Sequence, residues 1–142
     1  MSIRFDVVSG EIGKGKEPLL LGVAEETKLP VWAKAWPNSI RRTVEDLLRS
    51  KRFLAKLNET FLFQNESRWV VVVGAGKTKE LTLERVRQAA GTGARRLLDA
   101  GFEEFARGLV QVPGATTDQA AQAVTEGTIL GTYRYSELKT TL

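Results

Sequence analysis

The sequence predicts an α/β fold, a three-layer α/β/α sandwich whose sheet is mixed and partly parallel. Three observations carry this. The apolar patterning switches between period two and the helical period in the order β-β-α-β-β-α-β-α, which places helices between strands and so favours parallel neighbours. Residues 19–24 (Leu-Leu-Leu-Gly-Val-Ala) are apolar without alternation, as a strand covered on both faces requires. Residues 69–73 (Trp-Val-Val-Val-Val) read as another buried strand and run into the strand-to-helix turn Gly74-Ala75-Gly76-Lys77-Thr78.

Each element follows from its local pattern. Residues 3–8 alternate, with Ile3, Phe5 and Val7 against Arg4 and Asp6, and predict a strand with one buried face. Residues 10–17 form a turn-rich connection to the interior strand. Residues 29–37 hold two prolines and two tryptophans. Trp32 and Trp36 are expected to dock on the body of the domain, a partner surface being the alternative. Asn38 is placed to cap the first helix, and Ile40, Val44, Leu47 and Leu48 mark its buried stripe. Strands at 60–64 and 69–73 are joined by a turn at 65–67.

Thr82 caps the second helix, whose buried face is Leu83, Val86, Ala90, Ala94, Leu97 and Leu98; Gly101 stands where a left-handed cap ends it. Gly91 and Gly93 inside this helix each cost about 1 kcal/mol relative to alanine, which tight packing of the backbone on the sheet makes tolerable. Residues 105–112 predict the last strand, ended by Pro113-Gly114. Thr116 and Gln119 match a capping box that opens a third helix through Ala120, Val124 and Leu130. Gly127 and Gly131 lie one turn apart on it and permit close approach of another element. The core is expected to hold Leu20, Val23, Leu62, Val71, Val73, Val86, Leu97 and Val124.

Composition narrows the chemistry. A chain of 142 residues, 42% hydrophobic and 27% charged, fits one soluble domain. It contains neither cysteine nor histidine, so there is no disulfide framework, no thiolate, and neither the commonest metal ligand nor the commonest general base. Acidic residues occur singly or as the adjacent pairs Glu25-Glu26, Glu45-Asp46 and Glu103-Glu104. Neighbours in sequence do not face each other on a helix and point to opposite faces of a strand, so these pairs read as solvated surface rather than ligands. The net charge is +4, from 21 basic and 17 acidic residues. Arg41, Arg42, Arg49, Lys51, Arg52 and Lys56 gather around one helix and Arg85, Arg87, Arg95 and Arg96 lie along another. Glu45, Asp46, Glu84 and Asp99 interrupt both sets, and no aromatic platform accompanies them. That favours two solvated faces over a polyanion footprint, and nucleic acid binding, if present, is expected to be weak. No stretch is long and apolar enough to span a bilayer, and the first residues lack a signal-peptide core, so the expectation is a cytoplasmic chain without membrane contact.

The turn at 74–77 invites a nucleotide reading that its spacing refuses. A P-loop needs a glycine five residues before Gly76, where Val71 stands. A dinucleotide fingerprint would put its third glycine at Lys79. Gly74, Gly76 and Lys77 remain as anion-site candidates on the strength of a glycine turn before a helix. No catalytic or metal-binding residue is assigned.

At 69–82 (Trp-Val-Val-Val-Val-Gly-Ala-Gly-Lys-Thr-Lys-Glu-Leu-Thr) the sequence resembles the N-terminal domain of leucyl (cytosol) aminopeptidases. The likeness continues at 87–96 and 121–135, the last block (Ala-Gln-Ala-Val-Thr-Glu-Gly-Thr-Ile-Leu-Gly-Thr-Tyr-Arg-Tyr) being the most specific, and is also seen between Arg52 and Thr60. It is weakest at 29–40, where Trp32, Trp36 and Pro37 replace alanine- and glycine-rich sequence.

The resemblance implies a macro-domain-like sandwich in front of a C-terminal catalytic domain. That domain holds two divalent metals, zinc or manganese, and releases N-terminal residues from peptides within a hexamer. The family's catalytic signature, Asn-Thr-Asp-Ala-Glu-Gly-Arg, is absent from the 142 residues. Residues 1–142 are therefore expected to be one N-terminal domain cut from a longer chain, with 133–142 opening the interdomain helix. Its implied partners are its own catalytic domain and sister subunits, and its implied service is assembly, access to the active site or regulation. The alternative is a free-standing macro-like module binding ADP-ribose-type ligands or nucleic acid.

Overall fold

The computed structural model describes residues 4–7, 15–26, 28–108 and 110–141, with backbone alone at 4–7 and 133–141. Five strands, β1 (Arg4–Val7), β2 (Leu19–Val23), β3 (Thr60–Asn65), β4 (Arg68–Gly74) and β5 (Glu104–Arg107), form one sheet. Its order is β1-β5-β2-β4-β3. All neighbours are parallel except β3 and β4, an antiparallel hairpin with Leu62 opposite Val71. Three helices join them: α1 (Asn38–Arg49), α2 (Leu83–Asp99) and α3 (Thr117–Thr141). Element order and mixed sheet are those predicted.

β2 is central because its sequence suits no other place. Leu19 to Val23 pair with Val70 to Gly74 on one side, while Leu19 and Leu20 face Ala106 and Arg107 on the other. Alternate β2 side chains then enter two separate cores. Leu20 joins Val71, Val73, Phe105, α2 (Val86, Ala90, Leu97) and α3 (Ala120, Val124). Leu19, Leu21 and Val23 join Val70, Val72, α1 (Ile40, Val44, Leu47), Trp36 and Phe53. α2 and α3 thus cover one face of the sheet and α1 the other.

Local chemistry fixes the helix ends. The Thr82 hydroxyl accepts from the Arg85 amide (3.2 Å). Thr116 and Gln119 make the reciprocal capping box: the Thr116 amide donates to Gln119 Oε1 (2.9 Å) and the Gln119 amide to Thr116 Oγ1 (3.1 Å). Gly101 follows the Ala100 cap of α2 at φ +95°, where alanine would be strained. Trp36 is buried, and half-buried Trp32 donates its indole N–H to the Gly22 carbonyl (2.8 Å), so both tryptophans belong to the body of the domain.

Several expectations need correction. Asn38 does not cap α1: Pro37, with φ −56° and an extended ψ, takes that position, and the Asn38 side chain accepts from Arg41 instead. Trp69 is not buried; it lies on the same face of β4 as Val71 and Val73 but at the strand's outer end, with its ring 6.1 Å from that of Phe102. The predicted strand at 105–112 leaves the ladder after Arg107, because Val110 crosses the end of β2 and packs over Gly22. Leu62 is only half-buried, since β3 is an edge strand. Leu130 is 58% exposed, because the contact line of α3 runs through Gly127 and Gly131. The strand predicted at 3–8 is described at 4–7 only, the 10–17 connection from residue 15 only, and Leu142 lies outside the described residues.

The glycines of α2 and α3 are spent on proximity. A Cβ at Gly131 would stand 2.6 Å from the Gly91 carbonyl oxygen, one at Gly91 would stand 2.9 Å from that of Gly127, and one at Gly127 would collide with the Arg87 carbonyl. Gly93 faces the sheet, where a Cβ would meet the Leu20 side chain.

Leu97→Ala, at a fully buried site, should cost about 2–5 kcal/mol, read from the urea unfolding midpoint of the chain as a single cooperative transition. An unmoved midpoint would contradict the packing of α2 on the sheet. Gly127→Ala in an isolated helix would gain about 1 kcal/mol. Here the clash with Arg87 should turn that gain into a net loss of about 1–3 kcal/mol, whereas a raised midpoint would mean that the helices have room to part.

Candidate functional site

The turn after β4 brings Gly74 and Gly76 together but commits their polar groups inward. The Gly74 amide donates to the Glu59 carbonyl (2.7 Å), Ala75 to Val23 (2.9 Å) and Gly76 to Ala55 (3.2 Å), while the Gly76 carbonyl accepts from Glu25 (2.8 Å). Three successive N–H donors are therefore occupied. Lys77 is exposed and precedes a short 3₁₀ turn, Thr78–Glu80. α2 begins only at Leu83, because buried Leu81 must first be reached by extended chain. The expected direct step from glycine turn to helix is thus interrupted, and the helix N-terminus carries its own cap, Thr82. Arg85 also approaches Gly76, but its guanidinium is 3.6 Å from the Glu80 carboxylate.

What Gly74 accommodates is a loop. Residues 53–58 cross directly over it, and a Cβ there would run into the Ala55 and Lys56 backbone. Ala55 and Asn58 take positive φ (59° and 69°), and the Glu59 carboxylate holds the loop by accepting from the Leu54 and Lys56 amides at 3.1–3.2 Å. Asn58 also accepts from Thr92 of α2 (3.1 Å). Asn58 carried a sequence signal, since asparagine tolerates the left-handed region; Ala55 carried none.

Among the described residues, two surface grooves lie near these elements. One lies beyond the carboxyl ends of β2 and β4, lined by Val31, Trp32, Thr78, Val112, Pro113 and Thr116. Its polar side chains are the Thr78, Thr116 and Thr117 hydroxyls, the Gln111 carboxamide and the Trp32 indole, and the amides at 116 and 119 are bonded within the capping box. The other follows the α2–α3 seam past Asn58, Arg87, Thr92, Arg95 and Leu130. The first has no carboxylate in its lining and the second a single one, Glu84. The predicted acidic pairs lie at the surface, and among the described residues no group of three or more His, Cys, Asp or Glu could hold a metal ion. The described residues therefore do not fit a two-metal hydrolytic site, and no step of hydrolysis is assigned to them.

Of the ten basic residues in the two sets, three are in ion pairs among the described residues: Arg85 as above, Arg49 and Arg87. Arg49 lies 4.0 Å from Glu45 and 3.5 Å from Asp46, and Arg87 3.3 Å from Glu84 and 3.2 Å from Glu126. Pairs this exposed contribute little stability but reduce the local field available to a polyanion. Two arginines escape a pattern-based reading because arginine in a strand suggests surface. Arg68 is buried, donates through Nε to the Glu17 carbonyl (2.7 Å) and sits 3.6 Å from the Glu17 carboxylate. Burial lowers its pKa, opposed by Glu17, yet a guanidinium stays charged throughout the ordinary pH range. Arg107, at 1% exposure, ends β5 in the interior.

This architecture is of the macrodomain-like class. It is similar to a solved macrodomain protein from Streptomyces coelicolor, with a TM-score of 0.55 at 16% identity, covering 90% of this chain and 93% of that one. Within that class the chain belongs to the cytosol aminopeptidase family, whose N-terminal domain matches residues 20–142. A probable cytosol aminopeptidase of Roseiflexus castenholzii is 27% identical over 99% of this chain and 28% of its own length. One of Bdellovibrio bacteriovorus is 32% identical over 75% of this chain and 22% of its own. The chain thus spans about a quarter of the curated relatives it matches. Among solved structures, a tomato leucine aminopeptidase mutant has a TM-score of 0.67 at 13% identity over 92% of this chain and 28% of that chain. The bottromycin maturation enzyme BotP, in complex with Mn, gives 0.63 at 20% over 87% and 24%. No described helix is long and apolar enough to cross a membrane.

Lys77→Ala should move the unfolding midpoint by no more than about 0.5 kcal/mol, as expected of a solvated side chain. Calorimetry of the unmodified chain with ADP-ribose should show no binding at sub-millimolar concentration. A tight complex that Lys77→Ala abolishes would mean the turn opens to take an anion.

Proposed function

We propose that this chain is the non-catalytic N-terminal domain of a leucyl aminopeptidase-like metallo-exopeptidase of the cytoplasm. A following domain would carry a pair of divalent metals, zinc or manganese, and release N-terminal amino acids from peptides. The observation that carries this reading is the family match over residues 20–142, reaching the end of α3, in relatives roughly four times as long that bear the name cytosol aminopeptidase. Manganese in the BotP structure is in keeping with a metal-dependent second domain.

The domain's service on this reading is mechanical: it assembles subunits into a hexamer, shapes access to the active site or regulates it. The closed turn at 74–76, whose amides are all bonded internally, favours such a role over small-ligand binding. The second reading, a free-standing macro-like module, draws on one observation, the macrodomain neighbour matched over nearly its full length.

The 142-residue chain should not hydrolyse leucyl-p-nitroanilide with either manganese or zinc, while the protein translated through the region downstream of Leu142 should do so and lose activity to a chelator. Activity of the short chain that tracks it through purification would overturn the non-catalytic assignment. A natural stop after Leu142, with ADP-ribose binding, would shift the reading to the free-standing module.

A further inference from the structure

The outer side of α3 changes character along its length. Its exposed residues in the first turns are Thr117, Asp118, Gln119 and Gln122; further along they are Ile129 and Leu130, at 49% and 58% exposure. A helix that ended its duties at the α2 seam would stay polar on that side throughout. The buried side shows no matching need, since Gly127, Thr128 and Gly131 already fill the contact with α2 and the core. Leu130 also forms one wall of the seam groove, opposite Thr92 and Arg95. Arg95 donates to Thr92 (3.4 Å) and is in no ion pair among the described residues.

We propose that Ile129, Leu130 and the adjoining Arg95 form the docking surface for the catalytic domain that follows α3. This rests on the reading above that such a domain exists. On that reading, the remaining three-quarters of a protein the size of its relatives would be tethered to the end of this helix. Thr141 lies about 16 Å along the helix axis from Leu130. A domain about three times the size of this one has a radius of gyration of roughly 20 Å, so one carried at the helix end would extend back over the patch. The patch calls for an apolar surface with a carboxylate at its rim, the latter to pair with Arg95.

The test uses the natural full-length protein carrying Ile129→Glu with Leu130→Glu, and the same pair in the 142-residue chain. In the full-length protein, tryptic cleavage after Arg134 or Lys139 should become at least tenfold faster, while the unfolding midpoint of the short chain stays unchanged. Cleavage at the original rate, with the downstream domain present, would overturn the docking surface and leave the functional reading intact; absence of a downstream domain would overturn both. If the glutamates disturb folding, amide exchange on the unaltered proteins decides: residues 129–132 should be better protected in the full-length protein than in the short chain, and equal protection overturns the proposal. A short chain that is dimeric, and becomes monomeric on substitution, would assign the patch to a second copy instead.

Discussion

The close crossing of α2 and α3 is the contact on which this architecture depends. Gly91, Gly127 and Gly131 bring two backbones together at a distance no side chain permits. Because the helices touch there, Val86, Ala90 and Leu97 from one and Ala120 and Val124 from the other reach the same face of the sheet. Wider spacing would leave a void over Leu20 and Val73, and voids in a core are costly in proportion to their volume. The helix propensity lost at three positions is small beside that core.

A second constraint works on the opposite end of β4. Gly74 lets the loop at 53–58 lie flat on the strand end, and the loop in return absorbs amides that would otherwise face solvent. Glycines after a buried strand and before a helix suggest ligand binding by their position alone. Here their hydrogen bonds go to Glu59, Val23 and Ala55, so the same residues that make the turn tight also close it.

The sequence revealed those parts of the molecule where one physical rule acts alone. Doubly apolar β2, the capping box at Thr116, the Thr82 cap and the close approach at Gly127 are all local patterns with one structural solution. Errors arose where two rules compete. Asn38 is a good cap, yet the neighbouring proline already has the required backbone and displaces it. Valines at 110 and 112 fit a strand, yet the small side of Gly22 draws Val110 across the sheet. Trp69 belongs to a run of apolar residues, but β4 extends past the covering helix at that end, where Phe102 is its neighbour. Of the candidate site, the residues were identifiable and their engagement was not. Donors at 74–76 find partners 15 to 52 residues away, beyond the reach of any local pattern.

Continuity of α3 over Thr117–Thr141 has a consequence of phase. The glycine contacts fix both the position and the rotation of its first half, so anything borne on its far end inherits a set azimuth. Removing one residue between 132 and 141 would shorten the rod by about 1.5 Å but turn its cargo by roughly 100°. Removing seven would nearly restore the azimuth at a cost of about 10 Å in reach. In this stretch, therefore, helix length is read in turns: single-residue insertions and deletions are more disruptive than losses of two whole turns.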